Sequence, residues 1–146
     1  MEGEAMLRAA VELLAPWARE SGTPEPGRRD VVVDAGDLLD AVAALRAAGA
    51  GYLAAITGLD EGPAGAIEVL YHFCAGAAVL TLRARLQRDA ATVPSLCAIV
   101  PSAGLFEREL REMLGVDVDG LPDPSRLYVA EDWPAGVYPL RKDAVI

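Results

Sequence analysis

Two runs of alternating side chains with a turn between them constrain this chain more than any other feature. Ile67, Val69, Tyr71 and Phe73 alternate with Glu68, Leu70 and His72. Leu80, Leu82, Ala84 and Leu86 alternate with Thr81, Arg83 and Arg85, and Ala75-Gly76 lies between the two runs. A period of two sends alternate side chains to opposite faces of a strand. The pair therefore reads as an antiparallel hairpin with one face toward a core, and the second run is the clearest half-solvated strand in the sequence. A chain with this hairpin needs an apolar layer to cover it.

Helical periodicity supplies that layer. Met6, Ala10, Leu13, Leu14 and Trp17 recur at helical spacing, which predicts a helix over 4–15 stopped by Pro16. Segment 20–29 holds glycine, proline and charge and reads as a loop, followed by a short valine-rich strand over 30–33. Asp34 is the expected N-cap of a helix over 36–48 with Leu38, Val42 and Leu45 as its apolar stripe, ended by Gly49 and Gly51. A buried strand over 52–57 and a turn over 61–65 come next. After the hairpin, Pro94-Ser95 is expected to open a short helix through Ile99. Ser102 is expected to cap a helix over 103–114, with Phe106, Leu110, Met113 and Leu114 on one face and Gly115 closing it. Strands and helices are partly segregated, so the predicted class is α+β with a mixed β-sheet of about four to five strands. The 146 residues fit one α+β core domain over 1–115 and an extended C-terminal tail over 116–146, packed on the core or on a partner subunit.

Most chemistry is excluded by what the chain lacks. Its formal charge of -9 repels nucleic acid and anionic lipid and suits a basic protein partner. The uncharged stretch over about 47–59 is interrupted by three glycines and is too short to span a bilayer, so no direct membrane insertion is expected. The acidic start over 1–4 does not resemble a signal peptide. Two cysteines, Cys74 and Cys97, and one histidine, His72, cannot by themselves supply the four ligands of a zinc site or of a conventional iron–sulfur cluster. The cysteines are expected to be reduced. Gly49-Ala-Gly51-Tyr-Leu-Ala54 spells a dinucleotide fingerprint, but it follows a helix and opens a strand, the reverse of what phosphate binding needs. His72 could act as a base in a stand-alone enzyme, yet no partner stands at a telling spacing. Cys74 is expected to face away from it across the strand. No catalytic, cofactor-binding or metal residues are assigned.

Two features remain. Glu107-Arg-Glu-Leu-Arg-Glu112 allows the i,i+4 pairs Glu107–Arg111 and Arg108–Glu112. It reads either as a solvated helix face or as an edge that holds the tail or a partner chain. The tail itself carries Trp133, Tyr128, Tyr138, Arg141 and Lys142 between prolines. Prolines lower the entropy lost on ordering, and aromatics with arginine are the residues that interfaces favour. Such a segment crosses another subunit or wraps its own domain.

In this order and spacing, Glu107-Arg-Glu109, Gly115-Val116, Gly120, Pro122-Asp123, Arg126, Asp132-Trp133 and Pro139-Leu-Arg-Lys-Asp143 resemble the signature of the C-subunit family of the NADH–quinone oxidoreductases (respiratory complex I). Thr57-Gly58, Tyr71-His-Phe73 and Val93-Pro-Ser95 extend the similarity upstream. Glu112 stands where the family has aspartate, Leu121 where it has histidine, and Ser125-Arg126 where it has paired arginines. Residues are added around Gly136.

The resemblance implies a two-layer α/β fold with helices packed on one face of the sheet. It further implies a non-catalytic peripheral-arm subunit that docks on the large subunit near the quinone site and supports electron transfer from NADH to quinone. NADH, quinone, flavin and iron–sulfur clusters would belong to the host complex, and none would be bound by this chain. Its location would be peripheral, on the cytoplasmic face of the cell membrane. The Gly136-Val-Tyr-Pro-Leu140 form also resembles the related subunits of energy-converting nickel–iron hydrogenases, so both hosts stand open. The implied partner-docking residues are Glu107, Arg108, Glu109, Arg126, Trp133, Tyr138, Arg141, Lys142 and Asp143. Arg126, Arg141 and Lys142 would meet carboxylates of the large subunit, Trp133 and Tyr138 would anchor, and the Glu107–Glu109 helix would hold the tail.

Overall fold

The alternating pattern folds as a hairpin at the centre of a five-stranded sheet. The structure, a computed structural model, describes residues 2–145, so Met1 and Ile146, which end the ranges read from sequence, lie outside the described residues. In chain order the elements are α1 (Glu2–Leu14), β1 (Glu20–Gly22), β2 (Arg28–Val32), α2 (Leu38–Ala47), β3 (Tyr52–Asp60), β4 (Ile67–Ala75), β5 (Ala78–Leu86), β6 (Thr92–Pro94), α3 (Ala103–Leu114) and β7 (Asp117–Asp119). The sheet order is β1-β2-β5-β4-β3. Within this sheet the β2–β5 pair is parallel and the other three pairs are antiparallel, so the sheet is mixed.

Register explains the layering. Tyr71 pairs with Ile56 and Leu82, Val69 with Gly58 and Ala84, and Phe73 with Leu80, so the apolar set of each strand falls on one face. That face is buried with Leu7 and Leu14 of α1, Leu38, Val42 and Leu45 of α2, and Leu110 and Leu114 of α3. Fully burying one such leucine contributes about 1.5–3 kcal/mol. Gly58 lets α3 close on β3, because a Cβ there would stand 2.0 Å from Leu114 Cδ1. The fold is the expected two-layer α+β arrangement.

The opposite face carries Asp30, Glu68, His72, Thr81 and Arg83. Arg83 joins Glu68 (2.7 Å) to Asp30 (2.9 Å), a bridge across three strands.

Several local expectations are corrected. Segment 20–29 contains β1, an edge strand paired with β2. Asp34 precedes a 3-10 turn, not an α-helix, and makes no side-chain cap bond, because its carboxylate is taken by Arg19 (2.6 Å). The helix expected from Pro94 to Ile99 is absent. Thr92–Pro94 is instead a strand paired in parallel with β7, a segment expected to belong to the tail. Val116 and Val118 belong to the buried core, so the extended segment begins beyond Asp119. Cys74 and His72 are two residues apart, which places them on the same face of β4, not on opposite faces. Both cysteines are free thiols.

Candidate functional site

The charged helix and the proline-rich tail meet along the outer side of α3. The expected pairs along the helix do not form. Glu107 turns inward, 1% exposed, where it accepts the Leu96 amide (2.9 Å), the Ser95 hydroxyl (3.2 Å) and the Cys97 thiol (3.6 Å). Burial pushes its carboxyl above the ordinary value, and it raises the Cys97 thiol as well. Glu107 also adds to the burial that lifts the Tyr71 phenol. Glu109 stays half-buried on the helix.

The other charges of the cluster grip the tail by its main chain. Arg108 donates to the carbonyls of Ser125 (3.0 Å) and Arg126 (2.9 Å) and to the Ser125 hydroxyl (3.0 Å), and Arg111 donates to the Pro124 carbonyl (2.9 Å). Glu112 accepts the amides of Leu127 (2.9 Å) and Tyr128 (2.8 Å). Burial alone would raise the Glu112 carboxyl. These amides, with that of Val129 and the nearby Arg126, outweigh burial and leave it below its ordinary value. The tail then organises itself. Arg126 donates to the carbonyls of Ala130 (2.5 Å), Glu131 (3.2 Å) and Trp133 (2.6 Å), and the Trp133 indole donates to the Val137 carbonyl (2.8 Å). Under this loop lies a cavity of about 490 Å³, walled by Arg111, Trp133 and Tyr138 among others.

The last turn of the chain returns to the core. Tyr138 lies against Gly115, where any Cβ would stand 2.4 Å from its ring, and Gly115 has φ +67°. Both facts demand glycine as the C-terminal stop of α3. Arg141 sits 5.6 Å from the Tyr138 ring centre and donates to the Leu114 carbonyl (2.6 Å), capping the helix end. The Leu140 amide reaches the Met113 carbonyl (3.0 Å), the Lys142 amide reaches Asp60 (2.8 Å), and Asp143 pairs with Arg88 (2.9 Å).

The structure thus brings Arg108, Arg126, Trp133, Tyr138, Arg141, Lys142 and Asp143 together in one continuous α3–tail surface. In the free chain the guanidinium groups of Arg126 and Arg141 are engaged by carbonyls of their own chain. This surface leaves three large apolar side chains outward, Leu105 (59%), Tyr128 (63%) and Leu140 (60%), among exposed charged ones. Sequence reasoning missed Asp60 and Arg88. Asp60 ends β3 and Arg88 lies in the loop after β5, and no periodicity links them to each other or to the tail.

The alternative site at His72 is a bracing contact. Its ring nitrogens lie 3.0 Å from the hydroxyls of Thr57 and Thr81 on the two neighbouring strands, and burial lowers its pKa. Among the described residues no group of three or more His, Cys, Asp or Glu side chains is disposed to hold a metal ion. Gly49 and Gly51 stand between α2 and β3, with no helix opening after them. No described helix is long and apolar enough to cross a membrane.

Comparison with known proteins gives a consistent picture. Residues 31–146 match the family described as the respiratory-chain NADH dehydrogenase, 30 Kd subunit. The chain is 33% identical to NAD(P)H-quinone oxidoreductase subunit J of Parasynechococcus marenigrum (strain WH8102), over 97% of this chain and 86% of that protein. It is 35% identical to hydrogenase-4 component G of Escherichia coli (strain K12), over 98% of this chain, but it spans only 26% of that protein's length. Among solved structures, a chain of the membrane-bound sulfane sulfur reductase, an archaeal respiratory membrane complex, shares the fold with a TM-score of 0.78 at 24% identity, covering 100% of this chain and 87% of that one. The trypsin-resistant fragment (1-134) of Nqo5 shares it with a TM-score of 0.67 at 21% identity, covering 84% of this chain and 99% of that one.

Proposed function

Because this chain belongs to the 30 kDa subunit family of the respiratory-chain NADH dehydrogenase, we propose that it serves as a non-catalytic subunit in the peripheral arm of a complex I-like assembly. It docks through the α3–tail surface on the large quinone-site subunit and braces that subunit while electrons pass from NADH to quinone. The cofactors, NADH, flavin, iron–sulfur clusters and quinone, are held by neighbouring subunits. Attachment to the cytoplasmic face of the membrane is peripheral, through the host complex.

One observation carries this reading. A tail of more than twenty residues is laid out mainly by charge-assisted bonds to its main chain, while Tyr128 and Leu140 face outward instead of closing on the core. A segment that served only its own domain would bury its large side chains, since burial is the dominant stabilising term. Exposed acids along the same tail, Asp123, Glu131, Asp132 and Asp143, suit a partner with a basic rim around an apolar patch.

The test is capture of the tagged full chain from its native cells, with mass spectrometry of the co-purifying subunits. The expected result is a large quinone-site subunit in stoichiometric amount, with recovery reduced at least tenfold by Tyr128→Asp combined with Leu140→Asp. Unchanged recovery in the double variant would overturn the docking surface.

A second host is favoured by a specific observation. Similarity to hydrogenase-4 component G runs over nearly the whole chain. The same capture separates the hosts, since one would bring an NADH-binding module and the other a nickel–iron centre.

A further inference from the structure

Asp60 is the last residue of β3 and is nearly sealed from solvent, with 2% of its side chain exposed. Its carboxylate receives both Nη groups of Arg88, the amide of Gly62 (2.8 Å) and the amide of Lys142 (2.8 Å). Arg88 in turn reaches Asp143 (2.9 Å), and its carbonyl accepts from Arg141 (3.3 Å). One carboxylate therefore ties together the end of β3, the loop after β5 and the final residues of the chain. No sequence motif announces it, and nothing in the docking role requires it.

We infer that Asp60 is a positioning residue for the docking segment: through Arg88 and the Lys142 amide it sets residues 140–143 on the core of the free chain, before any partner arrives. Three features carry the inference. The bonds go to tail main chain and to Asp143, so they fix path and register and leave the Leu140 side chain free. Those to the Asp60 carboxylate are charge-assisted and sheltered, and charge-assisted bonds are about twice as strong as neutral ones. The hydrogen bonds from Arg88 also hold the Asp60 carboxyl well below the usual carboxylate range, so the clasp stays charged and closed throughout the neutral and mildly acidic range. A segment already ordered loses less entropy on binding, which is how preorganisation raises affinity.

The positioning claim rests on the docking reading above; the closed clasp does not. The test is hydrogen exchange of the full chain. In the unaltered protein, the amides of Leu140 and Lys142 should exchange at least tenfold more slowly than in an unfolded peptide. Asp60→Asn should remove most of that protection and leave β4, β5 and α3 unchanged. Lys142→Pro is the companion variant. It deletes the tail's donor and touches no core residue, so it should loosen peptide 138–145 even if Asp60→Asn fails to fold. Unprotected Leu140 and Lys142 amides in the unaltered chain would overturn the inference. So would protection of peptide 138–145 that Lys142→Pro leaves intact.

Recovery of the large subunit with each variant supplies the second readout, and a loss of about tenfold is expected. A loosened tail with full recovery would sink the positioning role. Protected amides in an unaltered chain that brings down no large subunit would sink the docking reading instead.

Discussion

At the scale of single residues, the chain places carboxylates where main-chain amides need acceptors. Glu107 is the clearest case. Truncation to alanine leaves the buried Leu96 amide without a partner, a loss of about 1–3 kcal/mol, whereas Glu107→Gln keeps an acceptor oxygen and should cost less. The two variants also separate by pH. Burial raises the Glu107 carboxyl, so its contribution to stability is complete below the ordinary carboxylate value and is lost as pH climbs through the raised one. The advantage of the parent over Glu107→Gln should therefore shrink as pH is raised above the ordinary carboxylate value, read as urea midpoints at each pH. The inward turn of Glu107 was not legible in the sequence. The hexad from Glu107 to Glu112 mixes both signs of charge and also reads as a solvated face. Only the loop at Ser95–Cys97, brought under the helix by the fold, decides which carboxylate goes in. Asp60 was hidden for the same reason, since its partners lie far along the chain.

At the scale of elements, periodicity was a good guide where elements are long and a poor one where they are short. The hairpin of β4 and β5 and the helix α3 were readable because nine and twelve residues repeat their period several times over. The strands β1, β6 and β7 have three residues each and show no period, so residue type alone points to loop, helix and tail at those places. Their pairing is set by neighbours and not by their own composition. The contact of α3 with β3 makes a sharper prediction. Gly58→Ala would press a methyl group into Leu110 and Leu114, and overpacking of this kind costs about 1–3 kcal/mol. Combined with Leu114→Ala, the loss should be smaller than the sum of the two single losses, because one change makes the room the other needs. Equilibrium urea unfolding of all four proteins gives that coupling directly, and strict additivity would mean that α3 does not rest on Gly58 as described.

At the scale of the whole molecule, a formal charge of -9 governs encounter more than adhesion. The association rate with the captured large subunit should fall as sodium chloride is raised from about 50 to about 500 mM, with the dissociation rate changing less. Stopped-flow or surface-based kinetics would show it, and a salt-insensitive association rate would remove the argument for a basic partner rim. The α3–tail surface has one more consequence. Arg108, Arg111, Glu112 and Arg126 hold the tail almost wholly by its peptide groups, and Arg141 fastens its end to the last carbonyl of α3. The route of the tail is therefore written in the helix and in a few arginines, and the identities of Tyr128, Glu131 or Leu140 are left uncommitted. Those positions could be rewritten for a different neighbour without re-laying the route, a rail that accepts new rolling stock, so one scaffold could serve hosts with different electron donors.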